Sequence, residues 1–509
     1  MSYKRFLKSF AIVVVLAVVA AAQDLASFEK RTTVKTLDNG LTVVICERPE
    51  APVFSFFTHV DAGSVQDPLG QTGLAHMFEH MAFKGTDKIG TTDYAAEKVA
   101  LEKVEQVYAA YITERDKPAG RDEQKLKELQ KGWMDAVAEA NKYVKPNEFP
   151  QIVENNGGED LNANTADDET NYFYSFPENR LELWAYLESE RFLHPVMREF
   201  YKERNVVIEE RRMRVDSNPI GRLLEQFTTA AFQAHEYHRP TIGWMSDLNT
   251  FSATDAKKFF DKYYIPSNMV VAVVGDVKAS ETMPVIEKYF GRIPSRPKPD
   301  ERTTAEPPQN AERRVILQDM SQPLYLEGYH RPDYRSTDDA VYDAIADLMS
   351  NGRTSRLYRA LVRDKKIAAD SAGFTGLPGN KYPHLFAFYA FPLPGHKPDE
   401  MADAIHVEIE KLKNEDISDE ELKMIKTRAK ANLIRGLGSN EGLANDLAIY
   451  QARYDDWREL FRSVDRINKV SKADIRRVAK QTFVPANRTV GIIETKVAAP
   501  AADQQGGAQ

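Results

Sequence analysis

The chain is 509 residues long, 42% hydrophobic and 28% charged, which suits packed cores and excludes a disordered or collagen-like polymer. Asp and Glu outnumber Lys and Arg by 76 to 68, and the net charge of −8 excludes the basic footprint that non-specific nucleic-acid binding needs. A single cysteine excludes an intramolecular disulfide framework and a cysteine-based metal cage.

Lys4, Arg5 and Lys8 precede an apolar run from Phe10 to Ala22 that closes on Ala20-Ala21-Ala22. A basic start, a short apolar stretch and small residues at its end predict a secretory signal peptide over 1–22. The run is shorter than the roughly 20 residues of a spanning helix, so no stable membrane anchor is expected after cleavage. A periplasmic or secreted mature chain follows. Cys46 closes the apolar stretch Leu41–Ile45 and reads as a small buried hydrophobe.

Gly73–Met81 contains His-x-x-Glu-His. On a helix His76 and His80 share a face, and two imidazoles at that spacing reach one tetrahedral zinc ion. Glu79 lies at the edge of that face, where a carboxylate could take a proton from an attacking water without ligating the metal. Residues 93–145 are dense in Ala, Glu, Lys and Gln at helical spacing and broken at Lys117-Pro118-Ala119-Gly120, which predicts a solvated helical hairpin inserted in the first half. The third ligand is sought in the predicted helix Phe200–Arg214, where Glu203 and Glu210 are two turns apart on one face. Spacing does not choose between them.

Ser252, Asp255, Tyr264, Pro266 and Asn268 recur at one fixed offset as Ser471, Asp474, Phe483, Pro485 and Asn487. Each set reads as a capped helix, a turn and an apolar strand, so the chain is predicted to hold two homologous domains, 23–292 and 314–497. Between them, 293–313 is rich in Pro, Arg and Glu and reads as a linker, and 498–509 reads as a disordered tail. Gly436, Gly438 and Gly442 have no strand leading into them, which excludes a phosphate loop.

With these residues in view, the chain resembles the pitrilysin/insulinase family of zinc peptidases, on the branch of mitochondrial processing peptidases and their bacterial relatives. Leu37–Val43, Asp61–Ser64, Phe83–Thr86, Gly157-Gly158, Asn162–Thr165, Thr170–Tyr172 and Gly243-Trp244 carry the resemblance beside the motif. It implies an α+β fold of two homologous domains, each a mainly antiparallel sheet packed with helices. It implies one Zn²⁺ per chain on His76, His80 and Glu210, with Glu203 as the supporting carboxylate and Glu79 as the catalytic base. Asn162 and Ala163 would pair with a substrate held as an extended strand, and Arg363 would assist from the second domain. That domain has Asp343, Ala346 and Asp347 where the motif would stand, so it is expected to be inactive. The tyrosine that usually accompanies the arginine falls at Ala369 or Asp370. A partner chain is therefore expected, as a homodimer or a heterodimer with a catalytically silent homologue. The resemblance implies a zinc metalloendopeptidase acting on short or unfolded peptides. The alternatives are a non-catalytic peptide-binding or scaffold subunit and a dedicated precursor-processing peptidase.

Overall fold

The computed structural model describes residues 25–300 and 303–496; the expected signal peptide over 1–22 and tail over 498–509 lie outside them. Strands β1 (Thr32–Thr36), β2 (Thr42–Glu47), β3 (Val53–Val60), β4 (Glu159–Thr165), β5 (Thr170–Pro177) and β6 (Met269–Gly275) form one sheet in the order β1-β2-β6-β3-β5-β4. The β2–β6 pair is parallel and the others are antiparallel. The run Met-Val-Val-Ala-Val-Val of β6 is buried at every residue because both faces of the sheet are covered. Val43, Ile45, Phe54, Phe56, Val271 and Val273 face one core. Val44, Cys46, Phe57, Val270, Ala272 and Val274 face another, where they meet Leu443, Leu447 and Trp457. Cys46 is fully buried there, and burial raises its thiol pKa.

A second sheet contains β7 (Arg313–Asp319), β8 (Leu324–Arg331), β9 (Ala368–Leu377), β10 (His384–Pro392) and β11 (Arg488–Thr495), in the order β7-β11-β8-β10-β9. Its order and pairing senses repeat those of the first sheet without β1, and the fold is α+β as expected. The repeat holds at atomic detail. Ser252 and Ser471 each close a capping box, with Asp255 and Asp474 respectively. Asn268 donates to the carbonyls of Asp61 and Tyr263, as Asn487 does to those of His330 and Thr482.

Contacts divide the chain into two compact units that draw on both sides of the 293–313 segment. Among the described residues, one contains 25–211, Arg239–Thr303 and Lys426–Asn468; the other contains Arg212–His238, Thr304–Ile425 and 469–496. Helix Asn440–Tyr454 thus covers the second face of the first sheet against β3 and β6, and helix Pro219–Ala231 packs on β7 and β11 in the other unit. Gly328 and Gly491 make room for the latter, since a Cβ at either would come 2.9 or 3.0 Å from the Phe227 ring.

Candidate metal centre

Helix Leu74–Met81 carries the motif and is fixed at its N-terminus from outside. Asp67 accepts hydrogen bonds from the amides of Gly73 (2.7 Å) and Ala75 (2.9 Å), taking the place of a capping side chain. Burial raises the Asp67 carboxyl pKa to about 8. Gly73 and Gly243 lie backbone to backbone at φ +93° and +87°, and a Cβ on Gly243 would fall 2.2 Å from the Thr72 carbonyl oxygen. Leu74, Ala75, Met77, Phe78 and Met81 are buried, so the helix has one orientation that hides them all.

That orientation brings the imidazoles of His76 and His80 to 5.0 Å between ring centroids. Helix Phe200–Arg211 supplies the carboxylates. Glu210 Oε2 lies 3.7 Å from His76 Nε2 and 3.5 Å from His80 Nε2, and one donor atom from each of the three falls within 4.8 Å of the others. Two donors bonded to one tetrahedral zinc ion stand about 3.4 Å apart, so the spacing suits such an ion, and three protein donors would leave its fourth position open. Glu203 faces elsewhere: its Oε2 is 3.6 Å from the other nitrogen of His80, Nδ1. The geometry separates the two glutamates that spacing left equivalent. Among the described residues no other group of three His, Cys, Asp or Glu donors converges in this way.

The electrostatics follow from these contacts. Burial opposes a charge on His80, but Glu203, Glu210 and Glu79 outweigh it and raise the pKa to about 9. Burial likewise opposes a charge on Glu203, and His80 and Lys84 pull its pKa down to about 2. Lys84 Nζ sits 2.6 Å from Glu203 Oε1 and 3.4 Å from Glu199 Oε2. Half-buried Glu79 adds to burial in keeping the phenols of Tyr172 and Tyr264 protonated; the two hydroxyls are 3.0 Å apart. The turn after the motif is held by Arg198, which donates to the carbonyls of Lys84, Thr86 and Ile89 and forms a bidentate pair with Glu97. Lys84 and Arg198 escape a reading of the sequence because their partners are distant in the chain, and Asp67 because it caps the helix from six residues before Gly73, outside any capping pattern. For Lys84 the signal was its place in Phe83–Thr86, one of the segments that carry the family resemblance.

Asn162 and Ala163 lie on β4, the free edge of the first sheet, against which the motif helix packs. The Ala163 amide donates to Asn162 Oδ1 at 2.9 Å. Arg363 belongs to the other unit, is largely exposed and pairs with Asp364 at 2.6 Å. Asp343 and Asp347 lie on helix Asp339–Ser350, where Asp347 accepts from Asn351.

A family model described as insulinase (peptidase family M16) matches residues 42–114 and 136–244. One described as the peptidase M16 inactive domain matches residues 250–429. The chain belongs to the M16 peptidase family. The first match breaks over 115–135, inside the helical hairpin. A relative from Helicobacter pylori named zinc protease PqqE is 29% identical over 493 residues, covering 94% of this chain and 96% of that protein. The crystal structure of a protease from Helicobacter pylori superposes with a TM-score of 0.76 at 28% identity, covering 91% of this chain and 99% of that one. A probable mitochondrial-processing peptidase subunit beta from Arabidopsis thaliana is 22% identical, covering 88% of this chain and 76% of that protein.

Proposed function

We propose that this M16 chain is a zinc-dependent metalloendopeptidase that hydrolyses short or unfolded peptides in the periplasm or outside the cell. The convergence of His76, His80 and Glu210 within 4.8 Å, with half-buried Glu79 directly before His80 on the same helix, carries this reading. The relative named a zinc protease, similar along almost the whole chain, supports it. The compartment rests on the signal peptide expected from the sequence.

One zinc ion per chain would be held by His76, His80 and Glu210; when bound it supplies a Lewis acid that polarises a peptide carbonyl and makes water more acidic. Glu79 takes the proton of the attacking water and returns it to the leaving amine. Glu203, kept ionised by His80 and Lys84, faces His80 Nδ1 at 3.6 Å and so turns Nε2 toward Glu210. The edge of β4 at Asn162 and Ala163 would receive the substrate backbone as an added strand, which selects extended peptides over folded proteins. Arg363 would contact the substrate from the second copy. A second chain, identical or a silent homologue, would complete that contribution.

Elemental analysis of the purified protein should give one zinc per chain. Glu79→Gln should retain the metal while losing peptide cleavage by a factor of at least about 10². Absence of stoichiometric zinc, or a Glu79→Gln chain that cleaves like the wild type, would sink the proposal. Digestion of a peptide library separates broad degradation from the processing of one precursor.

A further inference from the structure

Glu203 and Glu210 are each followed by an arginine, and both arginines are buried, at 6% and 5% exposure. Arg211 donates to the Gly243 carbonyl at 2.7 Å and lies over the Trp244 ring. Arg204 donates to the Phe251 carbonyl at 3.0 Å and to the Tyr108 hydroxyl. Its guanidinium carbon is 5.0 Å from the centre of the Tyr201 ring, 5.2 Å from that of Tyr108 and 5.9 Å from that of Trp133. Tyr108 and Trp133 belong to the two helices of the inserted hairpin, Tyr94–Arg115 and Glu123–Ala140. The Tyr108 hydroxyl donates to the Thr250 carbonyl. Glu105, from the first hairpin helix, accepts from the Tyr201 hydroxyl at 2.6 Å and from the amide and hydroxyl of Thr254.

The hairpin, which the sequence presents as a solvated appendage, is therefore docked on the helix that carries the carboxylates. We infer that it is a strut, and that Arg204 is the positioning residue through which it sets the rotation of helix Phe200–Arg211 and the reach of Glu203 and Glu210. The inference rests on the metal reading proposed above. A carboxylate about 5–6 Å from a helix axis moves by roughly 1 Å when the helix turns by about 10°. Metal–ligand distances tolerate about 0.2 Å. A planar guanidinium held by a carbonyl, a hydroxyl and three rings adds directional restraint to the apolar packing of the helix.

The test uses the full chain, titrated with zinc against a chromophoric chelator and, after cobalt substitution, by visible absorption. Arg204→Met and Trp133→Leu should remain folded by circular dichroism and bind zinc about tenfold or more weakly. They should also shift the cobalt bands and lower kcat with KM changed less than about twofold, with Arg204→Lys intermediate. Lys131→Ala, at an exposed site on the same hairpin, should match the wild type. Folded variants with wild-type zinc affinity and cobalt spectrum would overturn the inference, and Trp133→Leu decides alone if Arg204→Met does not fold. A wild-type chain that takes up no metal would overturn the proposed function as well. Metal uptake unchanged between wild type and variants would overturn the strut alone.

Discussion

The Arg198–Glu97 pair offers a measurement of how firmly the turn behind the motif is held. Both side chains are buried, at 1% and 0% exposure, and Arg198 makes five hydrogen bonds, two to Glu97 and three to the carbonyls of Lys84, Thr86 and Ile89. Glu97→Ala leaves the guanidinium buried with carbonyls alone. Breaking a buried pair from one side costs about 3–5 kcal/mol, because the remaining charge is uncompensated. Two charge-assisted hydrogen bonds at about 1.5–3 kcal/mol each give the same range. At about 2–4 °C per kcal/mol, thermal unfolding should begin on the order of 10 °C lower. Urea titration of Glu97→Ala, Arg198→Met and the double variant should return a coupling above about 2 kcal/mol, with the double variant more stable than the sum of the singles predicts. Limited proteolysis should find new cleavage between Lys84 and Gly90. A Glu97→Ala chain within about 1 kcal/mol of wild type, or a coupling near zero, would refute the claim that this pair anchors the turn.

Two further outcomes follow from the charges. Burial alone raises Asp446 to about 6, so its cost is absent below the unfolded value near 3.8, grows as pH rises to about 6 and is constant above. Asp446→Asn should add about 1–2 kcal/mol at pH 7–8, after discounting for partial exposure, and nothing near pH 4; equal gains at both pH values would contradict this. Lys84→Met removes the cation that helps hold Glu203 at about 2, so chelator should strip zinc from the variant about tenfold more readily. The difference should widen as pH falls, because Glu203 then gains a proton in the range where the wild type keeps it ionised. Identical stripping rates at every pH would show that Lys84 does not support the site.

The motif was legible because its information is local: His76 and His80 are one turn apart, and the apolar residues around them leave one way to bury the helix. The capping boxes at Ser252 and Ser471 were legible for the same reason. The choice between Glu203 and Glu210 was not, since both share a helix face, and the 3.5–3.7 Å distances that separate their roles depend on how two helices cross. The hairpin misled in an instructive way. Its surface is a dense mixture of Glu and Lys, and the apolar stripes that carry Tyr108 and Trp133 are what two hairpin helices need to pack on each other, so they gave no sign of a further partner. The repeat marked two homologous halves but carried no sign of which sheet each helix would cover, because an apolar helix face does not name its partner.

The helices that cover the two sheets have an ancestry written into them. Asn440–Tyr454 and Pro219–Ala231 occupy corresponding places in the two copies, yet each lies in the compact unit built around the other copy's sheet. Exchange of identical elements between protomers is a low-cost route to a dimer, and joining two such protomers end to end produces this arrangement in a single chain. The two halves are then no longer separable parts. Produced alone, the N-terminal half would leave Val44, Cys46, Phe57 and Val274 facing water, and the C-terminal half would leave Gly328 and Gly491 without the Phe227 ring that fills the space above them. A nick within 293–313 would leave both helices in place. Domain truncation, the usual first experiment on a two-domain chain, would destroy both units, whereas co-expression of the two halves would rebuild them.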